Sequence, residues 1–279
     1  MPDIGFVNGR FMPLDEATVS VEDRGFQFGD GIYEVIRTYH GQLFQLDAHL
    51  ARLERSAKAI ELPLPWNIQQ WATHVREGIT RSGYAESKVY LQLTRGAAPR
   101  DHVFPVSVKP TAVMTVREMR PMDPAVRAAG VAVMTMDDWR WGRCDIKSVN
   151  LLPNVMARQK AKQAGAFEAV FVHRGQVTEG AVSNVMIVKA GRVLTAPEGE
   201  RILSGVTRTI VLGLAKKEGL SVEERFVTQD ELLRADEIFL TGTTVEVLPV
   251  TRADGKPVGS GKPGPVTQKL QAAFHRLVG

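Results

Sequence analysis

Arg140-Trp-Gly-Arg-Cys-Asp-Ile-Lys-Ser-Val-Asn150 is the stretch of this 279-residue chain that decides its interpretation, because it places one lysine, Lys147, in a half-apolar segment. Further along, Val177-Thr-Glu-Gly-Ala-Val-Ser-Asn184 sets Glu179 among small residues. Leu203-Ser-Gly-Val-Thr-Arg208 then forms a glycine turn that opens a predicted helix. The three segments supply an amine, a carboxylate and a helix N-terminus that can bind an anion.

An amine, a carboxylate and a phosphate cradle are the groups that pyridoxal 5′-phosphate requires from a protein. Lys147 would form the Schiff base, Glu179 would pair with the pyridinium nitrogen, and the turn at Gly205 would hold the phosphate. Each segment also has an ordinary interpretation when it is taken alone. These are a surface lysine, a solvated turn acid and a plain loop-to-helix junction.

Neighbouring polar residues extend this hypothesis. Ser183 and Asn184 could orient the carboxylate or the cofactor ring, and Thr207 adds a hydroxyl to the glycine turn. Thr241-Gly-Thr-Thr244 is a second hydroxyl-rich turn, after a predicted strand, that could close on the same phosphate. Arg52 lies on a predicted helix, and its guanidinium could bind phosphate through two hydrogen bonds.

The segment Arg95-Gly-Ala-Ala-Pro-Arg-Asp-His-Val-Phe-Pro105 follows a predicted strand. Arg100 and His102 alternate across Asp101, so in extended backbone their side chains point the same way. A cation and a histidine donor suit a substrate carboxylate, and Tyr33 could add a phenol. The alternative is a solvated loop whose charges have no common purpose.

Composition excludes several classes of partner. The net charge is only +4 and no run of like charges exists, so nucleic acid is not expected. No apolar run approaches the roughly 18 residues of a membrane span, and the first residues lack a secretory signal pattern. The single cysteine, Cys144, is typical of a reducing compartment, and the histidines lack metal-ligand spacing. We therefore expect a cytoplasmic protein with no metal and no membrane partner.

Hydrophobic periodicity predicts an α/β (α+β) protein of two domains. Asn8-Gly9 predicts a hairpin, Asp47 a helix cap, residues 67–81 an amphipathic helix, and Thr228 to Glu231 a capping box. We expect a small N-terminal α+β domain over residues 1–118, a linker over 119–124, and a large C-terminal cofactor-binding α/β domain over 125–279.

In this order, the motifs resemble the fold-type IV pyridoxal-phosphate transaminases, and they lie closest to the branch that acts on D-amino acids. The similarity extends from the Asn8-Gly9 hairpin to the C-terminal helix. Its motifs are Phe28-Gly-Asp-Gly-Ile-Tyr-Glu-Val35, His49-Leu-Ala-Arg-Leu53, Arg143-Cys-Asp-Ile-Lys-Ser148, Asn150-Leu-Leu152, Val177-Thr-Glu-Gly180 and Ser204-Gly-Val-Thr-Arg208.

The resemblance implies a two-domain fold with the cofactor between the domains, a homodimer, and ping-pong transfer of an amino group from a D-amino acid to pyruvate or 2-oxoglutarate. Lys147 is then the catalytic lysine and Glu179 the partner of the pyridine nitrogen. Leu203 would pack under the ring. Tyr33, Arg100 and His102 match the family's trap for the substrate carboxylate. The residues matching the phosphate site are Arg52, Val206, Thr207 and Thr243.

Three positions depart from that branch. Ala181 and Val182 stand where serines are common, and Gly142 stands where a bulkier residue is usual. These departures leave open an (R)-selective amine transaminase, or an enzyme with both specificities. An aminodeoxychorismate lyase, a branched-chain aminotransferase and a cofactor-binding protein without turnover are further alternatives.

Overall fold

The structure is a computed structural model that describes residues 3–279. The chain divides into two compact units. The first comprises residues up to Arg120 together with Ile146–Asn150, and the second comprises Pro121–Asp145 and Leu151–Gly279.

The first unit is an antiparallel sheet with helices. The elements are β1 (Ile4–Val7), β2 (Arg10–Pro13), α1 (Arg24–Phe28), β3 (Gly31–Tyr39), β4 (Gln42–Leu43), α2 (Leu46–Ala59), α3 (Ile68–Ser82), β5 (Ser87–Thr94) and β6 (Thr111–Glu118). The strand order is β2-β1-β6-β5-β3-β4, and each neighbouring pair runs antiparallel. The predicted hairpin at Asn8-Gly9 is confirmed, since both residues have positive φ and join the first two strands.

The core of the first unit joins one face of this sheet to α2 and α3. Strand β5 alternates up to Leu93, so that Val89, Leu91 and Leu93 are fully buried, as the period of a strand requires. Trp71 of α3 is fully buried in the same cluster. Burying each such side chain contributes about 1.5–3 kcal/mol.

The start of α2 differs from the sequence-based prediction. The sequence predicts Asp47 as the cap, but the helix begins at Leu46 after Gln45, which takes the left-handed conformation and offers no side-chain cap. Asp47 therefore lies in the first turn, where a carboxylate interacts favourably with the helix dipole. Helix α3 begins after Asn67, whose side chain and that of Gln70 form a capping box.

The second unit is built on a larger mixed sheet. The elements are α4 (Pro124–Ala129), β7 (Val131–Asp137), α5 (Leu152–Gln163), β8 (Glu168–His173), β9 (Gln176–Gly180), β10 (Asn184–Lys189), β11 (Arg192–Thr195), α6 (Val206–Lys217), β12 (Val222–Glu224), β13 (Val227–Thr228), α7 (Gln229–Leu233), β14 (Glu237–Gly242), β15 (Glu246–Ala253), β16 (Lys256–Pro257) and α8 (Pro265–Val278). The strand order is β12-β11-β10-β14-β15-β7-β8-β9-β13, and β16 pairs with β15.

Near-continuous apolar strands form the core of the second unit. Strands β8, β10 and β14 are buried along almost their whole length, as expected of strands covered on both faces. The predicted capping box at Thr228 is confirmed at the start of α7. The interpretation of Glu179 as a turn residue is wrong, because it lies within β9. Its burial among small residues leaves no polar alternation to mark a strand.

The division between the units falls between Arg120 and Pro121. Residues 146–150 lie beyond this point in the sequence, yet they pack with the first unit. Their backbone pairs with the start of β3, a long-range contact that local patterning does not report. In the part of the chain that the structure describes, no helix is long and apolar enough to cross a membrane.

Candidate functional site

Lys147 is held along strand β3. The N–H of Tyr33 donates to the Lys147 carbonyl at 2.9 Å, and Val149 N–H donates to the Gly31 carbonyl at 3.1 Å. The Lys147 N–H donates to Ser56 Oγ on α2 at 3.2 Å. Its side chain is half-buried, with Nζ 4.2 Å from the centre of the Tyr33 ring. The backbone of the proposed catalytic lysine is therefore fixed by both the sheet and a helix.

A buried carboxylate lies on the same strand. Glu34 is fully buried, and it accepts hydrogen bonds from Arg52 Nε at 2.7 Å and Arg52 Nη2 at 2.8 Å. His49 Nδ1 lies 2.9 Å from its second oxygen. Sequence reasoning overlooked Glu34, although alternation with Ile32 and Ile36 places it on the apolar face of β3. An acid at a predicted core position was the available signal.

The pKa values in this cluster follow from burial and charge. Burial alone would raise the pKa of Glu34, but the charge and hydrogen bonds of Arg52, with those of His49, lower it to about 2. Burial lowers the pKa of His49 below its ordinary value; Glu34 opposes this, and the charges of Arg52 and Lys147 reinforce it. An ionised Glu34 thus orients the guanidinium of Arg52.

Acid should destabilise the protein through Glu34. Because its pKa is 4.5 ordinarily and about 2 in the folded state, its contribution is complete above pH 4.5 and is lost as the pH falls toward 2. Glu34→Gln should lower the free energy of unfolding at pH 7 by about 3–5 kcal/mol, because it leaves Arg52 buried without its charge partner. Urea unfolding at pH 7 and pH 3.5 measures both effects.

The matched control for this experiment is Glu77→Gln. Glu77 and Arg81 form an exposed pair one helical turn apart on α3. Its loss should change stability by only about 0.3–0.5 kcal/mol. Equal losses in the two variants, or an unchanged pH dependence in Glu34→Gln, would contradict the stabilising role of Glu34.

Glu179 is the centre of a second buried network. One carboxylate oxygen accepts from Arg140 Nη1. The other accepts from Asn184 Nδ2 at 2.9 Å and from the Leu203 N–H at 3.0 Å. Asp138 in turn accepts two hydrogen bonds from the Arg140 side chain, each 2.9 Å long. Strand β9, strand β10 and the glycine turn are therefore joined at one carboxylate.

Asp138 and Arg140 are members of this network that sequence reasoning did not assign to Glu179. Burial would raise the pKa of Asp138, but its hydrogen bonds and ion pair with Arg140 lower it. Both acids accept hydrogen bonds from one guanidinium, that of Arg140, which therefore joins Asp138 to Glu179. The two residues flank the exposed Trp139, and no local pattern connects them with Glu179.

Gly205 is required by the packing of Asn184. A Cβ on Gly205 would overlap Asn184 Oδ1, whose amide also donates to the Leu203 carbonyl at 2.9 Å. Gly205 is the N-cap of α6 and provides no side-chain cap. The first N–H groups of a helix have no partner within it, so Val206 and Thr207 place donors where an anion can bind.

Gly205→Ala should disturb this arrangement. Overpacking against Asn184 should lower the free energy of unfolding by about 1–3 kcal/mol, and it should weaken binding of the pyridoxal phosphate that the sequence predicts. The control is Gly213→Ala on α6, where a Cβ meets no atom within 4 Å. That change should raise stability by up to about 1 kcal/mol, since alanine is the better helix former. Cofactor titration followed by absorbance, together with urea unfolding, tests the pair; similar behaviour of both variants would contradict the packing argument.

The remaining predicted cofactor residues lie on turns of the second unit. Ser183 is buried and donates to Glu168 at 3.0 Å. Thr243 and Thr244 lie in the turn between β14 and β15, the first half-buried and the second exposed. Glu168, which sequence reasoning did not single out, is fully buried, and burial raises its pKa.

The structure brings Arg100 and His102 to one aromatic ring. The Arg100 guanidinium lies 4.9 Å from the centre of the Phe28 ring, and the His102 ring lies 5.2 Å from it. Both residues are exposed. Tyr33 lies instead against Tyr90, with ring centres 5.7 Å apart, and against Lys147.

The three positions that depart from the D-amino acid branch of the family, Ala181, Val182 and Gly142, differ in their surroundings. Ala181 is buried and belongs to a small cluster between α5 and β8. Val182 is 61% exposed, although it is apolar. A Cβ at Gly142 would meet no atom within 4 Å, so the structure itself leaves room for a larger residue there.

Cys144 is a packed thiol. It is buried, and burial raises its pKa to about 11, which leaves it in the unreactive thiol form at neutral pH. Among residues 3–279, no group of three or more His, Cys, Asp and Glu side chains could hold a metal ion.

Comparison with known proteins identifies one family, and the similar proteins have names that agree with it. The model of the family described as amino-transferase class IV matches residues 31–253. The D-alanine aminotransferase of Bacillus licheniformis is 46% identical over 271 residues, which cover 97% of this chain and 95% of that protein.

Solved structures of aminotransferases share the fold. The branched-chain amino acid aminotransferase of Escherichia coli superposes with a TM-score of 0.93 at 26% identity, covering 100% of this chain and 95% of that one. The branched-chain aminotransferase of the archaeon Thermoproteus uzoniensis, solved with norvaline, gives a TM-score of 0.90 at 28% identity, with 99% and 94% coverage.

Proposed function

The chain belongs to the class IV aminotransferases and has their fold-type IV architecture, so the expectations of family and fold are confirmed. From that premise we propose that it is a pyridoxal phosphate-dependent transaminase that transfers the amino group of a D-amino acid such as D-alanine to a 2-oxo acid. The observation that carries this proposal is the 46% identity to a D-alanine aminotransferase over 97% of the chain.

The residues of the second unit fit the proposed cofactor. A buried carboxylate, Glu179, is hydrogen-bonded on both oxygens, which suits a partner for a protonated pyridine nitrogen. At the N-terminus of α6, Gly205 lies so close to Asn184 that a Cβ would overlap it, and no side chain caps the helix. Val206 and Thr207 would therefore hold the phosphate, and Thr243 would add a hydroxyl. Leu203 would pack under the ring.

The first unit would contribute Arg52 and Lys147. Arg52 carries a guanidinium oriented by Glu34, the preorganisation that a phosphate ligand needs. Lys147 provides the amine, on a backbone pinned to β3 and Ser56.

Each residue then has a defined task. When bound, pyridoxal phosphate acts as an electron sink that makes the substrate α-proton acidic. Lys147 would accept and return that proton, since it is the positioned amine. Arg140 forms an ion pair with Glu179, and Glu179 would accept the hydrogen bond of the protonated pyridine nitrogen.

The substrate carboxylate would be bound by Arg100 and His102. Both side chains lie against the Phe28 ring, which holds the guanidinium of Arg100 and the imidazole of His102 near each other. Such a pair favours substrates that carry a carboxylate over simple amines. With the amine at the cofactor and the α-proton at Lys147, a carboxylate anchored by this pair would also select the hand of the amino acid. Pyruvate and 2-oxoglutarate are the proposed amino acceptors.

A half-reaction experiment tests the proposal. Holoenzyme is mixed separately with D-alanine, L-alanine, L-leucine and (R)-1-phenylethylamine, and the visible band of the bound cofactor is followed. We expect D-alanine to remove this band and release pyruvate. Lys147→Ala should lower turnover by at least about a hundredfold, since proton transfer by a positioned group contributes that much or more. Lys58→Ala, at an exposed position on α2, is the control.

Each other result identifies an alternative. Reaction with L-leucine but not D-alanine would indicate branched-chain specificity, and reaction with the amine alone would indicate an amine transaminase. Reaction with both D-alanine and the amine would extend the specificity. A cofactor band that no donor changes would replace the proposal with a binding protein.

We also propose that the active protein is a homodimer. Three apolar side chains of the first unit are strongly exposed: Phe26 on α1 is 76% exposed, and Val103 and Val106, which follow Arg100 in the chain, are 73% and 103% exposed. Exposed apolar surface marks interaction sites, and a second copy agrees with the assembly implied by the resemblance.

Val106→Asp should weaken this association. An aspartate within an apolar contact loses the free energy gained by burying the valine side chain, and its charge adds a desolvation cost. The variant dimer should therefore dissociate at a higher protein concentration than the wild-type dimer. Sedimentation velocity over a dilution series measures the change. Val126→Asp on α4, 39% exposed, is the control. A monomeric wild type at micromolar concentration would rule out the dimer.

A further inference from the structure

The segment that bears Arg100 and His102 has a buried guanidinium behind it. Arg24 is 3% exposed and donates to the backbone carbonyl of Asp101 through Nη1. The same guanidinium reaches the carbonyls of Val103 and His102 at 3.4 Å. Arg24 therefore binds the backbone of three consecutive residues, and its side chain is the internal support of this segment.

Asp30 links Arg24 to a second buried arginine. Its Oδ2 accepts from Arg24 Nε and from Arg95 Nε, each at 2.8 Å. Arg95 donates further to the carbonyls of Ile60 and Glu61, at 2.8 and 3.0 Å. Its guanidinium also lies 3.5 Å from the centre of the Phe104 ring. The two arginines thus contact the segment from residue 101 to residue 104.

The base of this arrangement is rigid. Asp23 caps α1 by accepting from the Gly25 N–H at 2.8 Å, and it accepts from Thr94 Oγ1 at 2.9 Å. The Arg24 N–H donates to the Gly96 carbonyl at 2.9 Å. A Cβ on Gly25 would overlap the Thr94 side chain, so α1 packs directly on the end of β5.

The segment itself has little support of its own. Asp101, His102, Val103 and Phe104 are all exposed and belong to neither a helix nor a strand. Phe28, the ring between Arg100 and His102, is also contacted by Arg24, whose guanidinium lies 4.8 Å from the ring centre. Removing Arg24 would therefore release both the backbone and one face of the shared ring.

We propose that Arg24, with Arg95 and their common partner Asp30, forms a buried clamp that positions residues 100–104 and thereby sets the affinity for the substrate carboxylate. Arg24 is a positioning residue, because it acts through Arg100 and His102. This inference rests on the proposed function, in which those two residues bind the carboxylate. Arginine suits the task, since its fixed fork binds a carboxylate and several carbonyls at once.

The experiment compares Arg24→Met with Arg37→Met in the holoenzyme. Arg37 is a matched control because it is 5% exposed, pairs with Glu86 at 3.3 Å, lies 3.8 Å from the Tyr39 ring centre and donates to the Thr38 carbonyl at 3.3 Å. Two quantities are measured. One is the rate of tryptic cleavage after Arg100, followed by mass spectrometry. The other is KM and kcat for D-alanine.

Arg24→Met should raise the cleavage rate and raise KM for D-alanine by roughly tenfold, the scale for a misplaced charged contact, with a smaller change in kcat. Arg37→Met should leave both quantities near wild type. Arg24→Lys keeps a charge beside Asp30 but lacks the forked guanidinium. Its cleavage rate and its KM should therefore lie between those of Arg24→Met and Arg37→Met. If Arg24→Met does not fold, the cleavage rate and KM of Arg24→Lys test the proposal instead.

Arg100→Ala, measured in the same kinetic assay, separates the two proposals. If it raises KM while both Arg24 variants leave KM unchanged, the clamp is overturned and the carboxylate site stands. The clamp is also overturned if tryptic cleavage is unchanged. If Arg100→Ala leaves KM unchanged, the carboxylate site fails, and the role of the clamp in affinity fails with it.

Discussion

Acids on the apolar faces of sheets must be paired, and this constraint organises both units. Glu34 lies among Ile32 and Ile36, where an isolated charge would be costly, so Arg52 and His49 of α2 are brought against it. Glu179 lies within a buried strand and is paired with Arg140. In each unit, the residues that satisfy the acid are also those that the proposed chemistry uses or relies on.

The hydrogen-bond requirement of Glu179 extends into its surroundings. Asn184 can reach it only because position 205 lacks a side chain, and the Leu203 N–H reaches it from the segment just before α6. The helix N-terminus is therefore placed by the same network that holds the carboxylate. A change in any of these residues would alter both the acid and the anion-binding end of α6.

The segment of Arg100 and His102 combines exposed binding groups with a buried support. Its chemical groups are exposed, as a substrate requires, while the guanidinium that supports it is buried. Exposed loops gain fixed conformations only from contacts with a rigid scaffold. Here the scaffold is α1 and the end of β5, and arginine side chains make the connection.

The sequence by itself determined the elements that depend on neighbouring residues. The hairpin at Asn8-Gly9, helix α3 and the capping box at Thr228 follow from turn chemistry and periodicity, and the order of the motifs determined the family. It could also name Lys147 and Glu179 as candidates, because their residue types suit one cofactor.

Only the tertiary structure decided that Glu179 lies in a strand and that residues 146–150 pair with β3. The same is true of the buried charges Glu34, Arg140 and Arg24, which hold the proposed site residues. These contacts join distant parts of the chain, as does the hydrogen bond from the N–H of Val149 to the carbonyl of Gly31. Local patterning cannot report such pairs, because it is burial in the folded chain that forces each charge to find its partner.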